Sequence, residues 1–103
     1  MNKILLLITT VPNQLLAEQI AKELIEKKIA ACISIKEIKS IYKWQRTLEE
    51  NKEFELTIKS LPEKIDELTL ILKEKIDYEV PELIHKVFDS ENCYFQWIIE
   101  SIN

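Results

Sequence analysis

The sequence predicts an α+β fold in which strands alternate with amphipathic helices. Residues 3–10 form a continuous apolar run, and residues 53–59 alternate strictly between apolar and polar side chains. Two other segments repeat apolar residues at the three-to-four-residue spacing of a helix. A chain of 103 residues that is 47% hydrophobic can bury a core of its own, so we expect residues 1–103 to form a single domain.

The first strand and the first helix are predicted near the start of the chain. The apolar run at residues 3–10 fits a strand that is buried on both faces. A helix then opens at Pro12–Asn13, and its apolar residues recur every four positions, at Leu16, Ile20 and Leu24. Charged residues lie away from this stripe, so we expect one helix face to pack against the sheet.

Residues 31–44 are predicted to form a long strand with an irregularity. In a regular strand its large side chains would fall on two faces, with Ile33 and Ile35 on one and Ile38, Tyr42 and Trp44 on the other. We expect a β-bulge near Lys36–Glu37, because one extra residue reverses the alternation. Gln45–Thr47 then reverses the chain, and residues 53–59 return as the antiparallel partner.

The second half of the chain predicts a helix, a strand and a final helix. Ser60–Glu63 matches a capping box with proline in the first turn. The helix that it opens carries Ile65, Leu68 and Leu72 on one face, and Ile76–Tyr78 ends it. Pro81–Asp89 is predicted as the last strand, and Ser90 as the cap of a short helix that bears Tyr94, Trp97, Ile98 and Ile102.

The predicted order is β-α-β-β-α-β followed by a helix, which is a ferredoxin-like βαββαβ sandwich with an additional C-terminal helix. Two helices cover only one face of such a sheet. The other face carries or adjoins large aromatic side chains, so we expect another copy of the chain to cover it.

Composition and charge exclude several classes of protein. The net charge of −4 argues against a nucleic-acid partner, which would require a basic face. No apolar stretch is long enough to span a bilayer, and the run at residues 4–8 is too short for a signal peptide. We therefore expect a cytoplasmic protein in which Cys32 and Cys93 are free thiols.

The candidate functional residues each have a structural alternative. His85 is the only histidine and has no partner at metal-ligand spacing, so a structural role is favoured. Tyr42 and Trp44 fit a core or an interface better than a ligand platform. Glu79 and Glu82 flank a proline beside Tyr78, and they fit a solvated surface and a ligand or cation site about equally.

Three stretches, Ala30–Cys32, Ser40–Trp44 and Tyr78–Glu82, resemble in order and spacing those of the CutA family, small trimeric proteins named for divalent-cation tolerance. The resemblance runs from Thr9 to the last helix. It implies a homotrimer in which the long hairpin reaches a neighbouring subunit and clefts form between subunits. The matching positions are Cys32, Tyr42, Trp44, Lys59, Tyr78, Glu79, Pro81 and Trp97.

The chain departs from the family at the positions that are associated there with copper. Family members usually carry His-Pro where this chain has Ile76–Asp77. Some carry a histidine at the position of Lys75 or a cysteine at the position of Thr9. We therefore expect weak copper affinity and assign no metal ligands, although a divalent metal ion remains a possible cofactor.

The resemblance implies a protein that binds a small ligand or metal ion at inter-subunit clefts without catalysis and is linked to divalent metal tolerance. The predicted ligand-binding residues are Tyr42, Trp44, Lys59, Tyr78 and Glu79. We expect the hairpin and the Tyr78–Glu79 segment to meet only if the hairpin crosses to a neighbour. The alternative is a PII-like signalling trimer that senses an anionic metabolite. A phosphate-handling enzyme is disfavoured, because the chain has no glycine and one arginine, Arg46.

Overall fold

The computed structural model describes residues 2–103, and its elements follow the predicted order. The strands and helices are β1 (Lys3–Val11), α1 (Gln14–Glu26), β2 (Cys32–Trp44), β3 (Thr47–Ser60), α2 (Ile65–Lys75), β4 (Ile84–Asp89) and α3 (Asn92–Ile102). A single turn of 3₁₀ helix, Pro62–Lys64, leads into α2. The predicted α+β class and the βαββαβ order with an added helix are confirmed.

The four strands form one antiparallel sheet in the order β2-β3-β1-β4. β1 lies inside the sheet, where Leu7 is opposite Ile58 on β3 and His85 on β4. The two outer strands are therefore β2, which carries half of the long hairpin, and β4.

The main core lies between the sheet and the first two helices. From the sheet it takes Leu5, Leu7, Val11, Phe54, Leu56 and Ile58, and from the helices Ala17, Ile20, Leu24, Leu68 and Leu72. Alternate residues of β1 and β3 enter this core because successive side chains of a strand point to opposite faces. Each buried leucine or isoleucine contributes about 1.5–3 kcal/mol relative to an exposed one.

The third helix packs on the opposite face of the sheet. Ile4 is adjacent to Leu5 in β1 and points the other way, where it packs with Ile98 and Ile102 of α3 and with Leu61. The face of the sheet that lacks α1 and α2 is thus partly covered by the chain itself.

The long strand β2 contains no bulge, which corrects the prediction at Lys36–Glu37. Its pairing with β3 is continuous from Cys32 opposite Lys59 to Trp44 opposite Thr47. The physical reason is that the outer half of β2 extends beyond the helices. Its side chains do not need to return to the core face, so the alternation continues unbroken and turns Tyr42 away from the core.

The predicted helix start at Pro12–Asn13 is confirmed, whereas the two predicted helix caps, Ser60 and Ser90, are wrong. The Asn13 Oδ1 accepts a hydrogen bond from the Leu16 amide at 2.8 Å, as an N-cap does. Ser60 instead ends β3, and its hydroxyl donates to the Ile29 carbonyl at 2.6 Å. The cap of α3 is Glu91 rather than Ser90, because its carboxylate accepts from the Tyr94 amide at 2.8 Å.

The strand bounds also differ from the predictions. β3 begins at Thr47 rather than at residue 53, so the hairpin turn consists of Gln45 and Arg46 alone. β4 begins at Ile84, and residues 81–83 belong to the connection before it. Within residues 2–103 no helix is both long enough and apolar enough to cross a membrane.

Candidate functional site

A groove of about 680 Å³ lies between the outer half of the hairpin and the loop that joins α2 to β4, and it defines the candidate site. We call it the hairpin groove. Its lining residues are Thr10, Ser40, Ile41, Tyr42, Trp44, Glu53, Asp77, Tyr78, Glu79, Val80 and Glu82. The volume lies within the range of small-molecule sites in proteins.

The hairpin supplies one wall of the groove through strand alternation. Phe54 is buried in the main core, so its neighbour Glu53 points to the opposite face. Glu53 pairs with Ile38, and the same side of β2 continues through Ser40 to Tyr42 and Trp44. Regular pairing without a bulge is therefore what brings the two aromatic side chains and the Glu53 carboxylate to one surface.

Hydrogen bonding orients the Tyr42 side chain on this wall. The Asn51 side-chain amide donates to the Tyr42 hydroxyl oxygen at 2.7 Å across the two strands. Tyr42 is still 42% exposed and Trp44 39% exposed, so much of each ring is available for contact.

The loop after α2 supplies the other wall and is tied to β3. The buried Ile76 ends α2, and its amide donates to the Leu72 carbonyl at 2.9 Å. Two residues later the Tyr78 hydroxyl donates to the Glu53 carboxylate at 2.7 Å, while the Tyr78 ring packs against the main core. This bond connects the loop to the hairpin within one chain.

The electrostatics of the groove are dominated by carboxylates. Burial, the hydrogen bond to Glu53 and the charge of that carboxylate raise the pKa of the Tyr78 phenol above its usual range. Burial also raises the pKa of Glu82, and the negative charges of Glu55 and Glu53 raise it further. Both pKa values are raised because the ionised form of each side chain would be partly buried and would lie near other carboxylates.

The structure brings four of the five predicted site residues together. Tyr42, Trp44, Tyr78 and Glu79 line the hairpin groove, whereas Lys59 does not. Lys59 lies at the other end of β3, opposite Cys32 and next to the part of β1 that contains Leu6. The expectation that the hairpin and the loop meet only across two subunits is wrong, because both line one groove in a single chain. Ligand binding at these residues stays a prediction.

Sequence reasoning missed Glu53 and did not place Glu82 in the same site as Tyr42. Glu53 could have been found from the alternation of residues 53–59, because it is on the face opposite Phe54. Its contact with Tyr78 carries no sequence signal, since it depends on the path of the loop after α2.

The side chains of residues 2–103 do not by themselves form a metal site. Among the residues that the structure describes, no group of three or more histidine, cysteine, aspartate or glutamate side chains is placed to hold a metal ion. His85 and Cys32 belong to the two outer strands, β4 and β2, and they point to opposite faces of the sheet. The groove carboxylates therefore do not fit a metal ion within a single chain.

Taken together, the four-stranded sheet, the long hairpin and the ligand-sized groove define a small ferredoxin-like α+β protein with a candidate binding site beside its hairpin. The profile of the CutA1 divalent ion tolerance proteins matches residues 5–101. The chain belongs to this family of divalent-cation tolerance proteins.

Relatives and solved structures agree with this assignment. The chain is 40% identical over 91 residues to a Xenopus laevis protein named as a CutA homolog; the match covers 86% of this chain and 60% of the relative. CutA from Synechococcus elongatus has a TM-score of 0.94 at 31% identity, covering 100% of this chain and 93% of that one. A structure described as the periplasmic divalent cation tolerance protein CutA from Archaeoglobus fulgidus has a TM-score of 0.91 at 32% identity, covering 97% and 99%.

Proposed function

We propose that this divalent-cation tolerance protein is a homotrimer that binds a small ligand in the hairpin groove and catalyses no reaction. The observation that carries the proposal is the convergence of Tyr42, Trp44, Tyr78 and Glu79 on one groove. Exposed aromatic surface beside carboxylates in a concave site is what small-ligand recognition requires.

Self-association is supported by apolar surface on the side of the sheet where α3 packs. Ile84 and Phe88 of β4 pair with Ile8 and Ile4, so they share that side, and they are 55% and 43% exposed. Trp97 on α3 is also exposed. β4 and β2 each present an unpaired edge, and an assembly of copies would cover apolar surface and edges together.

The absence of catalysis is supported by the chemistry of the groove lining. Its hydroxyl groups belong to Thr10, Ser40 and two tyrosines, and neither histidine nor cysteine is among the lining residues. The description of the family names a tolerance and no reaction.

The residues that line the groove also limit the kinds of ligand that it can bind. A metal ion held there would need ligands from a second chain, since the described part of one chain places no three potential ligands together. An anionic metabolite, as in the PII-like alternative, would meet the carboxylates of Glu53, Asp77, Glu79 and Glu82. Like charges repel, so no observation favours that alternative.

We also infer a cytoplasmic location and a single domain. Both cysteines are free, and the exposed Cys93 suits a reducing compartment. All three helices pack on the two faces of one sheet, which supports one folding unit.

The first prediction tests assembly and binding together by native mass spectrometry of the protein isolated from its own cells. We expect the mass of three chains plus a retained small molecule. A Phe88→Asp variant should lower the assembly state, because it places a charge on the apolar surface. Leu70→Asp, at a 61% exposed position on α2, is the matched control and should remain trimeric.

In the same experiment, the Trp44→Ala variant should have the mass of a trimer without the retained small molecule. A wild-type protein that is monomeric at micromolar concentration would contradict the trimer. A Trp44→Ala trimer that keeps the molecule would contradict binding in the groove.

A further inference from the structure

The charge of the hairpin groove is one-sided. Four of its lining residues carry carboxylates, and none is lysine, arginine or histidine. These four are Glu53, Asp77, Glu79 and Glu82. With each carboxylate ionised, the groove concentrates as much negative charge as the net charge of the entire chain, which is −4.

In the described part of the chain, four carboxylates elsewhere on the surface, those of Glu23, Glu50, Glu67 and Asp89, lie within 4.0 Å of a lysine nitrogen, whereas none of the groove carboxylates does. Glu23 lies 3.1 Å from both Lys27 and Lys75, and Asp89 pairs with Lys3. Over residues 2–103, no lysine or arginine nitrogen comes within 4.0 Å of the four groove carboxylates. The raised pKa of Glu82, caused by burial and by the charges of Glu55 and Glu53, reflects the same lack of a counter-ion.

Aromatic rings share the groove with these carboxylates. Tyr42, Trp44 and Tyr78 are among the lining residues, and the indole of Trp44 is partly exposed. The face of an aromatic ring attracts cations, most strongly for tryptophan. The rings and the unpaired carboxylates together form a surface that suits a positively charged group attached to an apolar molecule.

We propose that the ligand of the hairpin groove is an organic cation, a small molecule with an ammonium group on an apolar frame. This inference rests on the proposed binding function of the groove and adds the class of ligand. The volume of about 680 Å³ suits an organic molecule, and the dispersed carboxylates do not form the compact oxygen cage that a bare metal ion requires.

The second prediction tests this class with three probes of similar shape: 2-phenylethylamine, neutral 2-phenylethanol and the anion 3-phenylpropionate. Each is titrated into the assembled protein, with backbone amide NMR shifts and calorimetry as readouts. We expect the amine to shift signals of the groove residues. We expect at least a tenfold weaker affinity for the alcohol and no detectable binding of the anion.

Matched variants make the test specific. Glu82→Gln removes one groove charge and should weaken amine binding about fivefold or more. Glu26→Gln makes the same change on the exposed surface of α1 and should leave amine binding unchanged. Trp44→Leu should weaken amine binding more than alcohol binding, because it removes an aromatic face.

The outcomes distinguish a failure of the organic-cation assignment from a failure of ligand binding in the groove. Equal or tighter binding of the alcohol or the anion in the groove would overturn the organic-cation assignment and leave groove binding intact. An unchanged amine affinity in Glu82→Gln would also overturn the assignment. If none of the three probes shifts a groove signal, ligand binding in the groove fails together with the ligand class.

Discussion

Thr9 places a hydroxyl group in the interior of the protein. It is fully buried on the core face of β1, opposite Leu56, and its Oγ1 has no hydrogen-bond partner among the residues that the structure describes. A buried hydroxyl without a partner costs about 1–3 kcal/mol, because it gives up its bonds to water.

At this position we predict that Thr9→Val raises the free energy of unfolding by about 1 kcal/mol, since a methyl replaces the unpartnered hydroxyl. The measurement is urea denaturation. Thr69→Val is the control, because that hydroxyl donates to the Ile65 carbonyl at 2.8 Å and its loss brings no gain. A lower stability for Thr9→Val would show that the Thr9 hydroxyl has a partner in solution.

Residues with positive φ show how a chain without glycine forms its turns. Lys28, Gln45 and Arg46 adopt φ values of 59°, 50° and 69°, in the left-handed region that favours glycine. Lys28 follows the end of α1, and the other two form the hairpin turn. The sequence predicts the hairpin turn at Gln45–Thr47, but it does not predict which side chains adopt the unfavourable backbone conformation.

At the scale of elements, the hairpin turn joins β2 and β3 through two residues, Gln45 and Arg46, whose backbones both adopt the left-handed conformation. Such turns match the twist of the flanking strands, and the sequence Asn-Gly is favoured in them. Any other residue loses about 1 kcal/mol of stability when it adopts the left-handed conformation. The turn is exposed and lies far from the core, so its strain affects mainly the outer end of the hairpin.

We predict that the double variant Gln45→Asn/Arg46→Gly stabilises this end of the hairpin. The amides of Trp44 and Thr47, which form the hydrogen-bonded pair that closes the two-residue turn, should exchange their hydrogens several-fold more slowly. The control variant Gln45→Ala/Arg46→Ala keeps the strain and should show no such slowing. Faster exchange in the Asn-Gly variant would mean that the turn has a different backbone conformation in solution.

Elements that contact the core were predicted well, and elements that leave it were not. A continuous apolar run identified β1, and apolar periodicity identified α1 and α2, because each of these elements must bury its apolar side chains. The bulge in β2 was wrong because the outer half of that strand has no core to face. The Ser60 cap was wrong because a buried serine at the end of β3 can bond to the Ile29 carbonyl instead.

The candidate site was predicted in part for a related reason. Tyr42 and Trp44 share a face through strand alternation, and Tyr78 and Glu79 are neighbours in sequence, so each pair was found separately. Their meeting within one chain depends on the loop after α2 and on the Tyr78–Glu53 bond. Long-range placement of a loop has no local sequence pattern.

At the scale of the whole molecule, the hairpin makes the chain elongated, with extents of 46 × 24 × 22 Å. The inner half of the sheet carries the core, and the outer half carries the groove beyond it. The contact that joins these parts is the hydrogen bond from Tyr78 to Glu53, because it ties the loop to the outer part of the hairpin.

The pH dependence of this contact follows from the raised pKa of Tyr78. The folded state favours the neutral Tyr78 phenol. The contribution of this phenol to the free energy of unfolding is therefore fully present below its unfolded-state pKa of about 10. It is lost as the pH rises through the higher pKa of the folded state.

The most direct measurement is an NMR titration of the tyrosine ring carbons in the folded protein, with the Tyr78 signal assigned from its absence in Tyr78→Phe. We predict that Tyr78 ionises well above the usual value of about 10, and that Glu53→Gln moves its pKa back toward that value. A Tyr78 phenol that titrates at the usual value in the wild-type protein would contradict the loop–hairpin contact, and with it the groove.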